Sequence, residues 1–190
     1  MGGIESNKEL NYLNWKIPPG SRVYLGLYQM SELAVMHRWK HQVDISFLTC
    51  RPVRRMSLDE RKRRFQQKVP SVFAIRRVED GQFLGELSVY GYNAKNRSVG
   101  VAYFTGPAYR KQGYTKEGLA LLLSYLFETV GLNKVMADTG AFNQGSISLL
   151  KGSGFCEDGR LRQHLLFEGT LHDRLLFSLL ADDWQTAPKS

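Results

Sequence analysis

The chain is poor in cysteine. Cys50 and Cys156 are the two thiols in 190 residues. Two are too few for a disulfide framework, and nothing around them has metal-ligand spacing. The simplest reading is two reduced thiols in a cytosolic protein. Long apolar runs are absent too. None approaches the roughly 18 residues of a membrane helix, so no membrane partner is expected. Residues 1–20 have no apolar core and no signal-peptide pattern. No helix-turn-helix, zinc-finger or RNA-binding signature is found, and there is no internal repeat or low-complexity segment.

What remains is a soluble globular composition, 43% apolar and 23% charged. The length suits one domain over residues 21–184, with a polar arm at 1–20 and a tail at 185–190. The formal net charge is +8. Most of that excess lies in residues 51–68, where Arg51, Arg54, Arg55, Arg61, Lys62, Arg63, Arg64 and Lys68 face only Asp59 and Glu60. Such a stretch is either a solvated helix face or a surface for an acidic or ribosomal partner.

Hydrophobic periodicity sets the elements. Residues 22–28 alternate as a strand, and residues 31–40 form a helix. Ser57 and Glu60 make a capping box before the basic helix of residues 58–68. Residues 72–78 and 82–92 are strands joined at Asp80-Gly81, a hairpin turn. Residues 98–105 form the next strand. Leu119, Leu122, Leu123, Leu126, Phe127 and Val130 form the stripe of a helix with one buried face, and Gly131 sits where a capping glycine belongs. A strand at 134–139, a short helix after Asn143, and strands at 161–168 and 173–180 complete the chain. Strands and helices in this order give a mixed α/β, or α+β, sheet that is mostly antiparallel.

Between the strand at 98–105 and the long helix lies Tyr109-Arg110-Lys111-Gln112-Gly113-Tyr114-Thr115-Lys116-Glu117. It is a basic, glycine-bearing strand-to-helix turn. Helix N-termini carry free amides and the positive end of the dipole, a natural seat for phosphate. Gly113 permits close backbone approach.

This turn resembles the acyl-CoA loop of the GNAT N-acetyltransferases, (Gln/Arg)-x-x-Gly-x-(Gly/Ala), written here Arg110-x-x-Gly113-x-Thr115. Thr115 departs from the pattern. The run Val101-Ala102-Tyr103-Phe104 through Pro107 and Tyr109 is similar to the RimJ/RimL branch. So are Asn143-x-x-Ser146 with Gly154-Phe155, and Leu161-Arg162-x-His164 with Gly169, Asp173 and Trp184. The resemblance implies the GNAT fold from about residue 22 to 184, with two central strands splayed at the cofactor site. It implies acetyl-CoA as cofactor and a primary amine as acceptor. Backbone groups of Tyr103, Phe104 and Thr105 would bind the pantetheine arm. Arg110, Lys111, Gln112, Gly113, Tyr114 and Thr115 would bind the diphosphate, and Asn143 and Ser146 would reach the cofactor from the other side.

Transfer to an amine needs proton removal, oxyanion stabilisation and protonation of the departing thiolate. Ser146 is the candidate acid, against a bland reading as a first-turn serine bonded to its own backbone. Asn143 is equally a helix cap. The carboxylates that some relatives place at Gly100 and Leu165 are missing. Glu86 is taken as the catalytic carboxylate, with Asp138 and His164 as further titratable candidates. No cysteine holds a motif position, so direct attack in a ternary complex is expected. The acceptor is expected to be a protein or peptide N-terminal amine, ahead of a polyamine, antibiotic or amino acid. A non-catalytic acyl-CoA-binding or nucleic-acid-binding module on the same fold is the rival. The oligomeric state stays open, a homodimer included.

Overall fold

The computed structural model describes residues 17–42, 50, 57–67 and 72–186. Much of the basic stretch, including Arg51, Arg54, Arg55 and Lys68, lies outside the described residues, as do most of the expected N-terminal arm and C-terminal tail.

The elements follow the expected order: β1 (Val23–Leu27), α1 (Met30–His41), α2 (Leu58–Gln67), β2 (Val72–Arg77), β3 (Phe83–Asn93), β4 (Ser98–Thr105), α3 (Tyr114–Ser124), β5 (Lys134–Gly140), α4 (Gln144–Gly152), β6 (Cys156–Phe167), β7 (Thr170–Leu180) and α5 (Ala181–Thr186). The strands form one seven-stranded sheet in the order β1-β2-β3-β4-β5-β7-β6. All pairs are antiparallel except β4 with β5.

Helix α3 lies against one face of the sheet. Its stripe of Leu119, Leu122, Leu123 and Leu126 is fully buried in a cluster with Leu87, Val89, Val99, Val101 and Val135. Burying one such leucine contributes about 1.5–3 kcal/mol. The helix widens to a π turn over Tyr125–Thr129 before Gly131 ends it at φ 74°. The extra residue in that turn keeps both Leu126 and Phe127 buried, with Phe127 stacked on Trp184 at 5.9 Å. The opposite face carries a smaller core under α1, built from Tyr28, Leu33, Met36, Ala74, Phe83 and Phe104. At the start of α2 the Ser57 hydroxyl accepts the Glu60 N–H at 3.2 Å, the serine bond of the expected capping box.

The late hairpin is longer than the periodicity suggests. Strand β6 begins at Cys156, and the turn is Glu168-Gly169, with φ of 49° and 75°. Two left-handed residues in succession make a tight hairpin turn that matches strand twist. β6 is an edge strand, exposed along nearly all its length. No alternation marks its first five residues because neither of its faces is buried.

Strands β4 and β5 set up the site. They pair only through Ser98, Val99 and Gly100 with Lys134, Val135 and Met136. Beyond Gly100, β4 stays with β3 to Thr105, and β5 stays with β7 to Gly140. A wedge opens between them, in accord with the expected splay.

Candidate functional site

The wedge is the mouth of a cavity of about 840 Å³, lined by the open stretch of β4, the loop before α3, the end of β5 and the start of α4. At one end the chain turns through Gly106 and a short 3₁₀ segment, Pro107–Tyr109, into the basic loop. Lys111 and Gly113 are both left-handed, at φ 60° and 83°. That pair of inversions turns the backbone so that α3 begins at Tyr114 with its N-terminus toward the cavity. Arg110, Lys111 and Lys116 line this end, together with Gly113, Tyr114 and Thr115. Gln112 does not line it; its side chain donates to the Ala108 carbonyl at 2.9 Å.

The loop is braced from the residue that precedes β1. Arg22 donates to the Gln112 carbonyl at 3.1 Å and pairs with Glu117 at 2.9 Å. Burial pushes the Glu117 carboxyl up. The Arg22 and Val23 amides and the Arg22 guanidinium outweigh that and hold it below the usual carboxylate range. Thr115, the departure from the loop pattern, has its hydroxyl bonded to that of Thr105. It ties the helix start to the end of β4.

Further in, Tyr103 and Ser146 meet across the wedge. Their hydroxyls are 2.6 Å apart. Burial pushes the Tyr103 phenol up to about 12, the Ser146 hydrogen bond pulls it down, and the charge of Asp138 adds to the rise. The phenol therefore keeps its proton at neutral pH. Ser146 is buried and held in place because Asn143 caps α4, its side chain accepting the Ser146 N–H at 3.1 Å. The capping role of Asn143 and its place in the cavity wall both hold.

The face of the sheet turned toward α1 carries Asp138 and Glu86. Asp138, on β5, lines the cavity. It accepts the Tyr90 phenol at 3.1 Å and pairs with Arg174 at 2.9 Å. Tyr90 reaches it by crossing β4 at Gly100, where a Cβ would collide with the Cε2 carbon of the ring. Glu86, expected as the catalytic carboxylate, is not part of the cavity lining. It sits one step along the same face, opposite Phe104, and pairs with Lys40 at 2.6 Å. Among the described residues Asp138 is thus the carboxylate of the cavity wall. His164 is exposed on β6 and outside the lining. His172, on β7, packs against the lining residue Phe142 at 5.0 Å. Cys50 also lines the cavity, a placement that motif spacing did not signal.

The structure thus gathers Tyr103, Phe104, Thr105, Arg110, Lys111, Gly113, Tyr114, Thr115, Asn143 and Ser146 around one space and leaves Gln112 and Glu86 at its border. Sequence reasoning missed the roles of the Tyr103 phenol, Tyr90 and Arg174. One signal for Tyr90 was available: a glycine inside a strand marks close approach by another group, and Gly100 is such a glycine.

Known proteins resemble this chain in sequence and in fold. The family model described as an acetyltransferase (GNAT) domain matches residues 13–156. A putative ribosomal N-acetyltransferase, YdaF, of Bacillus subtilis is 28% identical over 106 residues, 56% of this chain and 58% of that protein. The [ribosomal protein uS5]-alanine N-acetyltransferase of Escherichia coli is 29% identical over 84 residues, 44% and 43% of the two chains. The matched part spans about 60% of the length of the first curated relatives. Among solved structures, spermidine N-acetyltransferase from Vibrio cholerae in complex with CoA and spermine superposes with a TM-score of 0.79 at 18% identity, covering 88% of this chain and all of that one. At that identity the likeness is one of fold.

Proposed function

Because the chain belongs to the GNAT acetyltransferase domain family, we propose that it moves the acetyl group of acetyl-CoA onto a primary amine by direct attack, with both substrates bound. One observation carries the reading: the wedge between β4 and β5 has a basic helix N-terminus at one end and a hydroxyl pair with a carboxylate at the other. The first suits a diphosphate. The second suits proton traffic at a thioester.

Acetyl-CoA supplies an activated carbonyl and a thiolate leaving group. The residues of this chain do the rest. The amides opening α3, with Arg110 and Lys111, hold the diphosphate. The open edge of β4 at Tyr103, Phe104 and Thr105 offers backbone partners to the pantetheine arm. Asp138 takes the proton of the acceptor ammonium, directly or through water, and frees the nitrogen lone pair. That pair forms the bond to the carbonyl carbon as the carbon–sulfur bond breaks. The Ser146 hydroxyl gives its proton to the thiolate and is resupplied by the Tyr103 phenol, which burial keeps protonated; the second proton that the nitrogen sheds as it becomes an amide returns through water to the phenolate. Cys156 lies exposed on the edge strand and Cys50 in the cavity wall. Neither takes part, so steady-state kinetics are sequential. Ping-pong kinetics, or acetyl label on Cys50, would overturn direct attack.

The acceptor is a protein or peptide N-terminal amine, with a small amine second. Two observations support that order. The curated relatives include proteins named as ribosomal N-acetyltransferases. The carboxylates nearest the wedge among the described residues are matched by the chain's own cations, Asp138 by Arg174 and Glu86 by Lys40, so neither is free to attract a polycation. Turnover of acetyl-CoA against a panel of N-terminal peptides, polyamines and amine antibiotics tests it. A peptide should give the highest kcat/KM. A polyamine as best substrate reverses the ranking, and no amine turned over above solvent hydrolysis leaves only a binding module.

A further inference from the structure

Lys40 holds a position that a substrate would be expected to hold. Its ammonium donates to Glu86 at 2.6 Å and lies 5.7 Å from the centre of the Phe104 ring. Trp39 stacks on Phe83 at 5.4 Å and packs against Phe104 at 6.5 Å, which fixes that ring. The Tyr28 phenol stands nearby, donating to the Glu32 carbonyl at 3.4 Å; burial pushes it up, and the charge of Glu86 pushes it further. A carboxylate, a phenol and an aromatic face are what a primary ammonium needs for binding. The pair is largely withdrawn from water, with side-chain exposures of 22% for Lys40 and 16% for Glu86.

This box adjoins the reaction space. Phe104 belongs to both, since its ring meets the Lys40 ammonium and also lines the cavity. Across β3 and β4, Glu86 is opposite Phe104 and Ser88 is opposite Ala102. Ser88 and Ala102 line the cavity. Successive alternate residues of a strand share a face, so Glu86 is the next group along the wall beyond Ser88.

We propose that Lys40 determines acceptor specificity: it fills, from within the chain, an ammonium subsite centred on Glu86 beside the reaction cavity, and so excludes acceptors that carry a second positive charge near the reacting amine. This rests on the acetyl-transfer reading above. Removing the ammonium leaves a half-buried carboxylate without its cation, a costly state that an external cation relieves.

The test is Lys40→Met, with Lys40→Gln as a second variant of different polarity. The readout is the ratio of kcat/KM for spermidine to that for a neutral N-terminal peptide, which a general loss of packing does not raise. The ratio should rise about ten- to a hundredfold, the worth of one charge-assisted hydrogen bond. Adding Glu86→Gln to Lys40→Met should abolish the gain. Calorimetric titration of spermidine into the protein without acetyl-CoA should show binding to Lys40→Met that the wild type lacks. An unchanged ratio together with unchanged spermidine affinity in a folded variant overturns the proposal. If no amine is acetylated by wild type or variant, the acetyl-transfer reading fails, while the spermidine titration still decides whether the subsite exists.

Discussion

Replacing either member of the Tyr103–Ser146 pair separates a proton relay from a packing contact. Ser146→Ala removes a hydroxyl from the first turn of α4 and leaves the half-buried phenol without its partner at 2.6 Å. An unsatisfied buried polar group costs about 1–3 kcal/mol of stability. A lost proton donor costs about 10²–10⁴-fold in turnover. Tyr103→Phe leaves Ser146 in place without a resupply, so kcat should fall by about tenfold, the worth of one hydrogen bond. The double variant is an apolar pair and should be more stable than the sum of the singles by about 0.5–3 kcal/mol of coupling. The phenol also has a pH signature. Its folded value lies at about 12 against an ordinary 10.0, so the folded state binds this proton more tightly than the unfolded one. Its stabilisation is complete below pH 10 and is lost as pH rises from about 10 to about 12. A shift of that size corresponds to about 2–3 kcal/mol. Denaturant titrations of wild type and Tyr103→Phe across that window isolate it, because every other group titrates in both. Turnover of Ser146→Ala at the wild-type rate, or parallel stability curves for wild type and Tyr103→Phe above pH 10, would refute the relay.

Other outcomes follow from the same geometry. Asp138→Asn should lower kcat by about 10²–10⁴-fold with acetyl-CoA affinity held, measured by steady-state kinetics beside calorimetry; equal loss in both would make Asp138 structural. Glu117→Gln should cost about 1–3 kcal/mol, since it weakens the bracing of the loop by Arg22. The Glu117 carboxyl lies below its ordinary 4.5 in the folded chain, so its contribution is present above that value and is lost as pH falls through the folded one. Melting curves from pH 6 to 3 should therefore converge for wild type and Glu117→Gln, and curves that stay parallel would contradict it.

The legible parts of this molecule were the local ones. The stripe from Leu119 to Phe127 told of a helix with one buried face, and that face is fully covered. Asp80-Gly81 announced a hairpin, and Gly131 sits at the left-handed position of a capping glycine. Each of these signals is carried by residues a few positions apart. The site is not. Tyr103 meets Ser146 from 43 positions away, Lys40 meets Glu86 from 46, and Tyr90 meets Asp138 from 48. No periodicity encodes such meetings; sheet register makes them. The choice of Glu86 as catalytic carboxylate failed to anticipate Lys40 for that reason. Strand β6 was read short because an edge strand with both faces in water shows no alternation.

The central claim is that the loop before α3 holds acetyl-CoA, and Gly113→Val tests it most directly. Gly113 sits at φ 83° and ψ −6°, a left-handed conformation that costs a residue with a Cβ about 1–2 kcal/mol. The new Cβ would stand 3.0 Å from Arg22 Nη2, so the guanidinium that bonds the Gln112 carbonyl must move. A domain with ordinary stability of about 5–15 kcal/mol survives both, but the amides of the loop do not stay in place. Calorimetric titration of acetyl-CoA should show saturable binding to the wild type and at least about tenfold weaker binding to folded Gly113→Val, a loss of about 1.4 kcal/mol or more. Wild-type affinity in the folded variant would contradict the assignment of the loop and, with it, the account of the site.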